Sequence, residues 1–171
     1  MIKQLFQLQT LLIDLLQDHR LSMESGNFLA RQYWIQTIEP NPPELFPFRV
    51  LCFLFCLGRT SDAALVKYAS PWVNKKEFSV DWLANCSVEN DILRYLRQLG
   101  MRKCAQGLKD LAQAIRMLHG GRVPSNLREL VDLAGVGPKI AILTLEFGYQ
   151  EWAVSLNELS SMAYFQHYHV N

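Results

Sequence analysis

The stretch Leu133-Ala134-Gly135-Val136-Gly137-Pro138-Lys139-Ile140-Ala141 joins two apolar segments through two glycines and a proline in close succession. Glycine tolerates positive φ and lets another backbone or a ligand come close, so Gly135 and Gly137 on either side of Val136 permit a tight reversal of the chain. Val136 is then free to turn inward as the anchor. Pro138 falls where the next segment starts, the one helical position that favours proline. A chain reversing in this way is expected to fold as a pair of helices packed on a common core.

The rest of the sequence carries the same helical period. Leu5, Leu8, Leu12, Leu15 and Leu16 recur at three- and four-residue steps and predict a first helix ending near Asp18. A second is expected over about 27–38, stopped by "EPNPPELFPF", whose prolines cannot continue a helix. A buried helix over 48–57 follows, then the polar turn "GRTSD" and a helix over about 61–68. Asp81 or Ser87 can open short helices, and Ile92, Leu93, Leu96 and Leu99 line one side of a helix over 91–99, with Gly100 as its stop. Residues 102–119 repeat the pattern up to Gly120 and Gly121. Ser125 can cap a helix running to about Leu133, and the turn leads into a last helix over 139–147. No alternating strand pattern of useful length appears, so the fold class is all-α.

Composition limits what such a bundle can bind. Lys plus Arg number 17 against 16 Asp plus Glu, a formal charge of +1, which argues against capture of a polyanion by bulk charge. An anion site has to be local. Cys52, Cys56, Cys86 and Cys104 contain no CxxC pair and match neither a zinc site nor a tight disulfide framework, so they are expected as reduced, buried, intracellular thiols. His19, His119, His167 and His169 make no ligand set, and no metal site is expected. The apolar run "VLCFLFCL" is far shorter than the roughly 20 residues that span a bilayer, and no membrane partner is expected.

The helix entered through Pro138 presents free N–H donors and the positive end of its dipole, which together make an anion site without net basic charge. A phosphodiester fits such a site; a corner used only for packing is the alternative. Lys139 lies in the first turn, where its amine is placed as a candidate nucleophile. A surface lysine that merely binds phosphate remains open on the residues alone.

Residues 127–148, "LRELVDLAGVGPKIAILTLEFG", resemble the helix-hairpin-helix of the endonuclease III family of DNA glycosylases, and "GVGPK" looks like its eukaryotic members. "FRVLCFLFCLGRTSDAAL", "LRQLGMRKCAQGLKDLAQAI" and "GGRVPSNLREL" are similar to further family segments in the same order, so the likeness covers about residues 46–154. The resemblance implies a helix-hairpin-helix glycosylase-like helical bundle that binds double-stranded DNA, flips out a damaged base and excises it. It implies that Lys139 is the amine that attacks C1′ of the sugar, forming a Schiff base that permits strand cleavage by β-elimination. Gly135, Val136, Gly137 and Lys139 would contact DNA, and Arg59 would stand where the family carries a gap-filling glutamine.

The sequence departs from the family in three places. The family aspartate, in a "VDTH" context after the hairpin, is here Ser155. A neutral hydroxyl cannot supply the stabilisation of a preorganised carboxylate, a loss that commonly raises a barrier by several kcal/mol. Glu146 or Glu151 could replace it only by lying near Lys139. No cysteine follows Cys104, so no cofactor is expected, the family's iron–sulfur cluster included. The tail resembles nothing in the family, which implies an incomplete second lobe. The expected organisation is an N-terminal helical segment over 1–45, the glycosylase-like domain over 46–154 and a divergent tail over 155–171. The expected protein is a monomeric, intracellular, nuclear DNA-repair protein whose glycosylase or AP lyase activity is weakened or lost. The alternatives are a non-catalytic DNA-binding module and a non-functional truncated isoform.

Overall fold

A computed structural model describes residues 35–57, 62–97 and 102–149. All of them lie within one compact unit, bounded by Trp34 and Trp152. The helices expected at the N-terminus, the greater part of the one over 27–38, and the C-terminal tail lie outside the described residues.

The described residues are helical and contain no strand. A 3-10 turn over Pro43–Leu45 leads into α1, Phe46–Leu57, and α2, Asp62–Tyr68, follows. Next come α3, Ser70–Val73, and α4, Val80–Asn85. A π-helical turn over Val88–Ile92 opens into α5, Leu93–Leu96. The last three are α6, Arg102–Leu118, α7, Leu127–Asp132, and α8, Pro138–Gly148.

Helix α1 is apolar apart from Arg49 and occupies the centre, with every residue from Phe48 to Cys56 buried. It begins earlier than expected because Pro47 falls in its first turn, where a missing N–H costs nothing. Helix α6 is amphipathic and buries Cys104, Ala105, Leu108, Leu111, Ala112 and Ile115. It ends where Gly120 and Gly121 take φ values of 60° and 80°, as a glycine stop predicts.

Two expected boundaries are corrected. The helix expected over 91–99 instead starts with the π turn at Val88. Ser87 Oγ accepts from the Asn90 N–H at 3.3 Å while Asp91 Oδ2 accepts from the Ser87 N–H at 2.8 Å, so two reciprocal caps move the start upstream. The cap of α7 is Asn126, not Ser125, because its Oδ1 accepts from the Glu129 N–H at 2.9 Å. Ser79 caps α4 in the same way. The helix α3 went unanticipated; its short "SPWV" has too few residues for periodicity to register.

The aromatic core gathers Phe48, Trp72, Phe78 and Trp82. Phe78 meets Trp72 edge-on with ring centroids 4.8 Å apart and Phe48 at 5.6 Å. Trp72 therefore packs the core and does not stand out as a stacking platform. One arginine is buried beside this cluster. Arg49 on α1 donates from Nη1 to the carbonyls of Glu39 at 2.8 Å and Asn41 at 2.7 Å, which offsets part of the cost of burying the guanidinium, while its buried Nε has no hydrogen-bond partner. Asn74 completes the attachment of this segment, accepting from the Glu39 N–H and donating to the Thr37 carbonyl.

Candidate functional site

The turn between α7 and α8 rests on the end of α1. Leu133 leaves α7 in extended conformation, and the Val136 N–H returns to the Leu133 carbonyl at 3.0 Å. Gly135 takes φ +83°, which an L-residue with a side chain adopts only with strain. Val136 is buried, as expected of the anchor. Gly137 plays a different part from its neighbour. Its φ of −80° and ψ of 169° are ordinary extended values, and a Cβ added there would meet nothing within 4 Å. What glycine provides at 137 is open space beside the backbone, not a conformation.

Helix α8 starts at Pro138 with no side-chain cap. Its first internal bond joins the Ala141 N–H to the Gly137 carbonyl at 3.0 Å. The N–H groups of Lys139 and Ile140 precede that bond and have no carbonyl of the helix to pair with. Lys139 is exposed. The site therefore combines open space at Gly137, uncapped donors at a helix start and a solvent-facing primary amine, an arrangement suited to an anion and to a carbonyl carbon beside it.

The hairpin is tied down at both ends. His119 Nδ1 lies 3.5 Å from Glu129 Oε2, joining the end of α6 to α7. The Tyr149 hydroxyl, just past α8, donates to the Val123 carbonyl. At the far end of α8 a Cβ on Gly148 would lie 3.1 Å from Pro47 Cα. Pro47 opens α1 and Phe55, near its end, meets Gly135, so α8 runs antiparallel along α1.

Not every expected site residue is brought together. Gly135, Val136, Gly137 and Lys139 share the turn and the first residues of α8. Arg59, Ser155 and Glu151 lie outside the described residues. Glu146 is buried, and seven residues along α8 from Lys139 put it about 10 Å further along the axis. It does not stand beside the amine.

Among the described residues, no group of three or more His, Cys, Asp and Glu is placed to hold a metal ion. The four cysteines are buried and form no disulfide. Burial pushes the Cys52 thiol well up from the ordinary range, with Cys104 adding to the effect, and burial raises Cys86 as well, followed by Asp91. Among the same residues no helix is long and apolar enough to cross a membrane.

Fold and site define an all-α protein that carries an open, uncapped hairpin between two helices on a buried central helix. No family model matches the chain. It is 32% identical over 134 residues to an endonuclease III of Thermotoga maritima, covering 75% of this chain and 60% of the relative. It is 29% identical over 114 residues to a thymine/uracil-DNA glycosylase of Methanothermobacter thermautotrophicus, covering 65% of this chain and 51% of the relative. An endonuclease III-like protein 1 of Gallus gallus is 25% identical over 129 residues, covering 75% of this chain and 43% of the relative. The chain is thus similar to endonuclease III-like proteins, and spans about half the length of the curated relatives it matches.

Proposed function

We propose that the chain binds duplex DNA through the α7–α8 hairpin and acts in base-excision repair as a glycosylase or AP lyase, with Lys139 as the nucleophile. The observation that carries this reading is the exposed amine of Lys139 in the first turn of α8, directly after the uncapped, unobstructed Gly137. The backbone donors there suit a phosphate, and the amine then lies beside the sugar attached to it.

The chemistry is that of an amine and an aldehyde. At an abasic site the ring-opened sugar exposes C1′ as a carbonyl carbon. The neutral amine of Lys139 adds to it, loss of water leaves an imine, and removal of a C2′ proton expels the 3′ phosphate. Removing an intact base is more demanding, because positive charge develops on the sugar and calls for a nearby carboxylate. Ser155 in the family's aspartate position, and Glu146 buried two turns along α8, both support weak or absent glycosylase activity with lyase activity retained. The same observation favours a second reading, DNA binding without catalysis. No cofactor is proposed. A monomer in the nucleus remains the proposed state and location, and the division at 45/46 and 154/155 the proposed domain plan.

Borohydride reduces the imine to a stable secondary amine, so incubation with an abasic-site duplex and borohydride reports the intermediate directly. A covalent adduct is expected, lost in Lys139→Gln with unchanged thermal stability. No adduct, with duplex binding retained and abolished by Gly137→Glu, would establish the second reading instead.

A further inference from the structure

Glycine within a helix is costly, and Gly107 sits in the interior of α6. The reason lies across the interface. A Cβ on Gly107 would stand 3.1 Å from Phe55 Cζ and 3.2 Å from Cε1. The other edge of the same ring faces the hairpin, where a Cβ on Gly135 would stand 2.7 Å from Cε2 and 2.8 Å from Cζ. Phe55 is buried. Its tip is held between two bare glycine backbones, one on α6 and one in the turn that precedes Lys139.

We infer that Phe55 is a positioning residue for the hairpin: its ring sets the height at which the Gly135 turn rests on α1, and with it the placement of the Gly137–Ile140 donors and Lys139. In a close-packed interior a ring gripped on both edges transmits displacement instead of absorbing it. A methyl group at Gly107 would need the ring to yield by a few tenths of an ångström, and the ring's opposite edge already lies against Gly135. Residue 107 thus acts on a turn it does not touch. The consequence for binding rests on the proposed role of the hairpin in holding DNA; the mechanical coupling does not.

The test is a mutant cycle of Gly107→Ala, Phe55→Leu and the double variant, each read in two ways. The first readout is the amide chemical shifts of Gly135, Val136, Gly137 and Lys139 in the free protein. The second is affinity for a duplex containing an abasic-site analogue, at temperatures well below each variant's melting point. Gly107→Ala is expected to shift the hairpin amides and weaken binding about fivefold, within the usual range of coupling between packed neighbours. Leucine at 55 lacks the ring tip, so the double variant is expected to restore both, a rescue that simple destabilisation would not produce. Hairpin amides that stay in place in Gly107→Ala, or fail to return in the double variant, would overturn the inference. Amides that move and return while the wild-type protein binds no duplex would uphold the coupling and overturn the proposed function.

Discussion

At the scale of single residues, the two glycines of the turn separate cleanly. Gly135 needs both its positive φ and its missing side chain, because a Cβ would reach within 2.7 Å of the Phe55 ring. Gly135→Ala is expected to cost about 2 kcal/mol or more in denaturant unfolding, combining backbone strain with overpacking. Gly137→Ala meets open space at an ordinary φ, so stability should change by less than about 0.5 kcal/mol. Duplex binding should nonetheless fall, because the methyl group stands where the phosphate is proposed to approach. Urea melts and affinity measurements on the two variants check the contrast. "GVG" suggested equivalent partners; φ values and neighbours distinguish them, and neither can be read from composition.

The elements show where spacing was sufficient and where side-chain chemistry intervened. Helix α6 followed from periodicity and glycine punctuation, because it has enough turns for one apolar face to be evident, and α8 followed from the glycine and proline turn that leads into it. The start of α7 depended on which of two adjacent polar residues turns its side chain back. Asn126 does so. Asn126→Ala should therefore cost about 1 kcal/mol, the ordinary worth of an N-cap, and Ser125→Ala close to nothing, as thermal melts of both would show. The same reasoning applies to Gly107. The helical period of α6 gives no reason for a glycine there; the ring of Phe55, far away in sequence, supplies one.

Across the whole molecule, burial decides how the thiols behave. The folded state holds the Cys52 and Cys86 thiols above their ordinary range, whereas the unfolded chain releases those protons from about pH 8.5 upward. Above that pH the native state binds more protons than the unfolded one, so stability is full below it and falls as pH rises further. Urea midpoints measured from pH 7 to 10 should decline at the alkaline end, and Cys52→Ala should flatten the decline. The helical class, the order of the family segments and the position of Lys139 were all legible in the chain, because they depend on local period, turn chemistry and short motifs. The attachment of residues 37–41 by Arg49 and Asn74 and the antiparallel run of α8 along α1 were not. Nor was the Phe55 ring shared by two glycines. Each is a contact between segments distant in sequence, set by how side-chain volumes fill one interior, and no local pattern encodes it.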